Sequence, residues 1–190
     1  KVFISPSFLS TLPQREFHAG LAEVIKMAIC FDPSLFSSLF SPQWLEKNLE
    51  EVIYTSVSLK ARIVEQDERE NSLRASLNYG HTFGHIIEQE GEYKTYLHGE
   101  AVSMGMVMAN ALAHSLNGFS SSQEVIDLLS IYSLPTHYAI NNEERFFQAL
   151  FLDKKTQNHK IKFILPKTIG SYEFAYPERE EIMAVLREFK

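Results

Sequence analysis

The sequence predicts one mainly α-helical domain that carries a small β-hairpin. Apolar residues recur at the three- and four-residue spacing of a helix through most of the chain. Residues 98–116 are rich in Ala, Gly, Ser and Met and are apolar around most of the helix circumference, which is typical of a central, buried helix. Two strand-like runs, residues 161–165 and 171–175, flank a connection that contains Pro and Gly, which predicts a hairpin.

The other elements follow from local start and stop signals. A helix begins near Arg15 and stops at Asp32-Pro33, and Asn117-Gly118 ends the apolar helix. Pro177, followed by three glutamates, opens a last helix that ends near Lys190. The remaining predictions are a strand at 2–5, brief helices near 35–40 and at Trp44, helices at 46–67, 80–90, 123–132 and 142–152, and a non-helical segment at 71–80.

Composition narrows the class of protein. The 190 residues suffice for one domain over 1–190, and 45% hydrophobic with 22% charged residues is typical of a globular protein. A net charge of −6 argues against a nucleic-acid scaffold, and the longest apolar run, 101–113, is too short to span a membrane. The single cysteine, Cys30, excludes an internal disulfide framework and a thiolate zinc cluster, and suits a reducing cytoplasm.

The chain begins with Lys1 and enters a predicted strand at once, so we expect a fragment of a longer protein. No glycine-rich phosphate-binding motif is found in it. If the longer protein binds a dinucleotide, the main determinants lie outside this chain.

Several polar residues could carry chemistry, but spacing alone leaves their roles open. His81 and His85 are four residues apart, so they share one face if the segment is helical. They either bind one metal ion together or are ordinary surface histidines. His98 is a third histidine in the same part of the sequence. Glu23 and Lys26 have the spacing of an exposed ion pair, worth roughly 0.2–0.5 kcal/mol. Lys60 lies in an apolar stripe and is expected to extend its amine to solvent.

Three segments resemble 3-dehydroquinate synthase: GLAEVIK at 20–26, LNYGHTFGH at 77–85 and LHGEAV at 97–102. TLP at 11–13, DERE at 67–70, DKK at 153–155 and FILP at 163–166 also match in order and spacing. The resemblance covers essentially the whole chain and corresponds to the C-terminal, metal-binding half of that two-domain enzyme. It implies that the N-terminal dinucleotide-binding domain is absent from this chain.

The resemblance also implies roles for individual residues. The zinc ligands, which could also hold another divalent metal such as cobalt, are Glu23, His81 and His98. The catalytic residues are His85, Glu70 and Lys26, where His85 and Glu70 serve proton transfer. The substrate-binding residues are Lys60, Arg74, Asn78, Lys154 and Lys155, of which one of the last two holds phosphate. Ser72 stands where the family usually has Gly, and the stretch from His85 to His98 is about one residue longer than usual.

The implied activity converts the sugar phosphate 3-deoxy-D-arabino-heptulosonate 7-phosphate to 3-dehydroquinate and phosphate in the shikimate pathway, with transient NAD redox. NAD would be bound mainly by the N-terminal domain, and the intact enzyme is expected to be a cytoplasmic homodimer without nucleic-acid or membrane partners. The fragment alone is expected to be inactive. Three alternatives stay open: another sugar-phosphate cyclase, a metal-dependent polyol dehydrogenase, and a non-catalytic metal-binding helical module.

Overall fold

The computed structural model describes residues 3–67, 73–153 and 160–190, and within them the mainly helical prediction is confirmed. The α-helices are α1 (Gln14–Phe31), α2 (Pro33–Ser38), α3 (Pro42–Lys47), α4 (Leu49–Gln66), α5 (His81–Glu90), α6 (His98–Asn117), α7 (Ser122–Ile131), α8 (Glu143–Asp153) and α9 (Arg179–Glu188). Short 3-10 helices span Pro6–Thr11 and Leu73–Asn78. The hairpin pairs β1 (Phe163–Thr168) with β2 (Ser171–Ala175) in antiparallel fashion.

Helix α6 is the centre of the core. It packs against α1, α5, α7, α9 and β1, and most of its side chains are buried on every face. The small and flexible side chains that predicted a central helix allow these neighbours to approach closely. The helix ends where Gly118 adopts a left-handed conformation with φ 78°.

Two glycines of α6 set how closely its neighbours approach. A Cβ atom on Gly99 would lie 1.9 Å from the Ala19 carbonyl oxygen of α1. A Cβ atom on Gly105 would lie 2.1 Å from the Gly80 carbonyl oxygen at the start of α5. Both contacts are with backbone, which cannot move aside as a flexible side chain can. Only glycine at these positions therefore lets α1 and α5 pack directly on α6.

The hairpin is attached to the helical core. The first four residues of β1 are buried, and the Gly170 amide in the turn donates a hydrogen bond to the Ile29 carbonyl of α1 at 2.7 Å. The strands extend to Thr168, so Pro166 lies inside β1 and not in the connection as predicted. Pro166 is tolerated because a two-stranded sheet leaves one side of each strand unpaired.

Three further local predictions were wrong. Residues 3–5 form no strand, because no partner strand lies beside them in the described part of the chain. The helix predicted from 46 begins only at Leu49, since the Asn48 side-chain amide bonds the Trp44 carbonyl and ends α3 there. Residues 73–78 of the segment predicted to be non-helical form a 3-10 helix.

Among the described residues, no helix is long and apolar enough to cross a membrane.

Candidate metal centre and substrate cleft

Three side chains from three helices meet at one point. Glu23 lies in the middle of α1, while His81 and His98 are the first residues of α5 and α6. One ligand atom from each lies within 4.8 Å of the other two. Glu23 Oε1 is 3.4 Å from His81 Nε2 and 3.5 Å from His98 Nε2.

This arrangement fits a divalent metal ion. The two Glu23–histidine distances exceed the roughly 2.7–2.9 Å of a charge-assisted hydrogen bond. Ligand atoms about 2.0–2.2 Å from a tetrahedral zinc ion lie about 3.3–3.6 Å from one another, which matches both distances. Glu23 Oε1 is itself inaccessible to solvent and makes no hydrogen bond within the described residues. A divalent cation bound between this oxygen and the two imidazoles would satisfy it.

Each histidine is oriented through its other ring nitrogen. His81 Nδ1 is 3.1 Å from the Tyr79 carbonyl oxygen, and the buried Tyr79 hydroxyl in turn bonds Asn110 of α6. His98 Nδ1 lies 3.1 and 3.2 Å from the two carboxylate oxygens of Glu88. Both contacts favour a proton on Nδ1 and leave the Nε2 lone pair facing Glu23.

Glu23 and Lys26 form a partly buried pair instead of the exposed pair that spacing suggested. Lys26 Nζ donates to Glu23 Oε2 at 2.6 Å, and Lys26 is only 5% exposed. Burial works to raise the pKa of Glu23, but His81, His98 and the Lys26 charge outweigh it and lower that pKa well below its usual range. Glu23 is therefore ionised at neutral pH, as a metal ligand must be.

The electrostatics of His98 differ from those of an ordinary exposed histidine. Its contact with Glu23 raises the pKa of His98, burial opposes this, and Glu88 raises it further.

An ion pair fixes the start of α6 to α1. The Arg15 guanidinium contacts both carboxylate oxygens of Glu100, at 2.6 and 2.7 Å. Glu100 additionally accepts from the Leu97 amide at 2.9 Å.

The three candidate ligands open into a cleft of about 530 Å³. Lys26, Lys60, Arg74 and Asn78 line it together with the ligands. Lys60 is exposed and presents its amine to the cleft from α4. The buried Asp67 side chain accepts from the Arg74 amide at 2.9 Å and so fixes the backbone of the 3-10 helix. A metal cradle beside three cationic side chains suits an anionic, oxygen-rich ligand.

His85 lies one turn beyond His81 and outside the three-atom cluster. Its ring centroid is 5.6 Å from that of His81 and 6.4 Å from that of His98. The pairing of His81 with His85 that spacing allowed is therefore not the one assembled by the fold, in which Glu23 and His98 accompany His81. The predictions for Glu70, Lys154 and Lys155 lie outside the described residues.

Sequence reasoning missed three residues that support the site: Tyr79, Glu88 and Asn110. Glu88 carried a usable signal, because it follows His81 by seven residues and so returns to the same face of α5 after two turns. Asn110 is a polar residue in the largely apolar middle of α6, which marks a buried hydrogen-bonding group. Nothing in the spacing connected Glu88 to His98, or Asn110 to His81.

Fold and site together define a helical domain with a candidate metal centre beside a cleft lined by cationic side chains, and comparison with known proteins gives the family. The 3-dehydroquinate synthase C-terminal family matches residues 20–156. The curated 3-dehydroquinate synthase of a Nitratiruptor species is 51% identical over 193 residues, and that of Helicobacter pylori (strain G27) is 49% identical over 191 residues. These alignments cover 100% and 99% of this chain, and 55% of each relative. The chain belongs to the 3-dehydroquinate synthase family and spans about 55% of the length of these relatives.

Solved structures of related cyclases share the fold. The 2-epi-5-epi-valiolone synthase of Streptomyces hygroscopicus subsp. jinggangensis 5008, with NAD+ and Zn2+ bound, matches with a TM-score of 0.83 and 26% identity. A 2-deoxy-scyllo-inosose synthase complexed with carbaglucose-6-phosphate, NAD+ and Co2+ matches with a TM-score of 0.80 and 25% identity. The matches cover 98% and 97% of this chain and 54% of each of those chains.

Proposed function

We propose that this chain is the metal- and substrate-binding domain of a 3-dehydroquinate synthase. The enzyme would convert 3-deoxy-D-arabino-heptulosonate 7-phosphate to 3-dehydroquinate and phosphate. The observation that carries the proposal is the convergence of Glu23, His81 and His98 at the edge of a cleft lined by Lys26, Lys60 and Arg74. About 50% identity to curated 3-dehydroquinate synthases supports this substrate over those of other cyclases.

Glu23, His81 and His98 would hold zinc or another divalent ion such as cobalt. When bound, the ion orients substrate hydroxyls, lowers the pKa of the one to be oxidised and polarises the resulting carbonyl. NAD would be bound mainly by the part of the longer relatives that this chain does not cover. Both solved cyclases described above contain NAD+ together with a divalent metal, which supports the use of both by the intact enzyme.

The cleft residues would hold the substrate around that centre. Arg74 has a planar fork of donors that matches a carboxylate, so it would bind the carboxylate of the heptulosonate with Lys60 and Asn78 beside it. The buried Lys26 amine lies against Glu23 and would donate to a substrate hydroxyl near the metal. One of Lys154 and Lys155 would hold the phosphate.

His85 would move protons at the reacting group, together with Glu70. It lies one helical turn from His81, which keeps it near the ligands without joining them. An imidazole can both donate and accept a proton, which suits general acid–base work. We also propose that the intact enzyme is a cytoplasmic homodimer. Sedimentation of the full-length protein would test the oligomeric state, and cell fractionation would test the location.

A phosphate-release assay tests the function. The full-length protein, supplied with NAD, zinc and the heptulosonate phosphate, should release phosphate and form 3-dehydroquinate. The same assay with a heptulose phosphate that lacks the carboxylate should give little turnover, since the substrate would then offer Arg74 no carboxylate to bind. The reverse preference would instead identify another sugar-phosphate cyclase, and turnover by this chain alone would contradict the need for a separate NAD-binding domain.

A further inference from the structure

We infer that Glu88 is a positioning residue that holds His98 in the orientation needed to bind the metal. The inference rests on the proposed metal centre, and concerns a carboxylate that does not itself belong to the three-ligand cluster. Glu88 would act through His98 and would touch neither the metal nor the substrate.

The two histidine ligands differ in how much the fold confines them. The His81 side chain is 11% exposed and is enclosed between helices, whereas the His98 side chain is 49% exposed. Both histidines begin a helix, so the difference lies in their burial: packing alone restrains the more exposed ring of His98 much less than that of His81. An unrestrained imidazole can rotate about its side-chain bonds, and ordering it costs free energy when the metal binds.

Glu88 supplies the restraint that packing lacks. Its two oxygens lie 3.2 and 3.1 Å from His98 Nδ1, on the opposite side of the ring from Nε2. The Glu88 side chain is only 13% exposed, so it is itself held in place. A carboxylate accepts and cannot donate, so this contact selects the ring orientation and tautomer in which Nδ1 carries the proton. Nε2 then faces Glu23 Oε1 with a free lone pair.

Helix α5 couples this restraint to the rest of the site. His81 and Glu88 are seven residues apart on α5, so they share one face and one rigid support. The helix therefore carries one ligand directly and orients a second ligand on α6. His81 takes the neutral Tyr79 carbonyl as its acceptor, whereas the more exposed His98 takes the stronger, charged acceptor.

The test measures zinc affinity by competition with a chromophoric chelator, using the full-length protein. Glu88→Ala should raise the Kd for zinc about 10- to 100-fold, the usual effect of removing a carboxylate behind a histidine ligand. Glu88→Gln keeps an oxygen acceptor of the same shape and should lose less affinity. With Co2+ in place of zinc, the visible absorption spectrum of Glu88→Ala should change, because the His98 ligand is less firmly held.

Glu90→Ala is the matched control. It removes a carboxylate of equal charge from the same helix, but that carboxylate accepts from the Tyr138 hydroxyl at 2.6 Å and not from a histidine. The Glu90→Ala variant should keep the Kd for zinc within about twofold of the wild-type value. Any change it does show measures the effect of losing one negative charge near the site. Equal losses in Glu88→Ala and Glu90→Ala would overturn the inference.

A second comparison separates this inference from the proposed metal centre. One outcome would refute only the inference about Glu88: the wild type binds zinc, Glu23→Ala abolishes binding, and Glu88→Ala binds zinc as tightly as the wild type. The metal centre would then stand. If the wild type binds no zinc, both are wrong. A loss of thermal stability in metal-free Glu88→Ala without any change in zinc affinity would also overturn the inference, since it would reduce Glu88 to a structural ion pair.

Discussion

Single residues in the cleft depart from the usual behaviour of their type because of their neighbours. Lysine is rarely buried, yet Lys26 is 5% exposed, and its charge is offset by Glu23 at 2.6 Å. The Glu23 carboxylate in turn faces two histidines through its other oxygen. These interactions keep a charged cluster in place beside an apolar core, where each charge alone would be costly.

His81 and His85, the two histidines of the GHTFGH segment, should have different functions. His81→Ala removes a ligand and should abolish stoichiometric zinc binding, whereas His85→Ala should retain about one zinc per chain and slow turnover of the full-length enzyme. Metal analysis after dialysis, with steady-state kinetics, checks both variants. Loss of zinc from His85→Ala with retention in His81→Ala would mean that the two assignments are reversed.

Cys30 should be chemically inert in the folded protein. It is 1% exposed, and burial raises the pKa of its thiol to about 12, which Lys26 opposes only in part. Because the folded pKa lies above the usual value, the unreactive neutral thiol persists as the pH rises through about 8 to 9. An aromatic disulfide reagent at mildly alkaline pH should label Cys30 only after denaturation in guanidinium. Rapid labelling of the native thiol would contradict this.

The helices bring distant parts of the sequence together through close contacts that local patterns do not reveal. Helix positions could be predicted from apolar spacing and from breakers such as Asp32-Pro33 and Asn117-Gly118. Glu23 lies far from His81 along the chain, so no spacing rule could join them. The resemblance to a family pointed to that cluster, whereas the supporting roles of Glu88 and Tyr79 needed coordinates.

A pair of glycine variants tests the close approach of α1 and α6. Gly99→Ala places a methyl group against the Ala19 carbonyl and should cost about 1–3 kcal/mol of unfolding free energy, with weaker zinc binding as the helices separate. Gly20→Ala in α1 meets nothing within 4 Å and should instead add about 0.5–1 kcal/mol through helix propensity. Chemical denaturation with zinc titration measures both. Equal effects of the two variants would show that the α1–α6 contact is not tight.

In the molecule as a whole, the metal would add a further link among three helices that already meet through packing and side-chain ion pairs. Glu23, His81 and His98 come from α1, α5 and α6, and these helices form the centre of the domain. A metal that binds only the assembled site stabilises the folded state to a degree set by its free concentration relative to Kd. The mainly helical fold was predictable because the core helix α6 is apolar around most of its circumference. The cleft was not predictable from composition, since a net charge of −6 for the whole chain does not reveal a local group of cationic side chains.

Zinc should therefore raise the thermal stability of the protein. At a free zinc concentration about 100-fold above Kd the gain is about 2.7 kcal/mol, which corresponds to roughly 5–10 °C in Tm for a domain of this size. Differential scanning calorimetry with and without zinc measures the shift. Glu23→Ala serves as the control and should show none, and an equal shift in that variant would mean that zinc binds elsewhere.

The most direct test of the proposed centre is anomalous diffraction at the zinc edge from zinc-loaded crystals of the protein. The account predicts one strong peak in this domain, about 2.0–2.2 Å from a Glu23 carboxylate oxygen and from Nε2 of both His81 and His98. A peak between His81 and His85 without Glu23, or no peak among these residues in crystals that contain zinc, would contradict it.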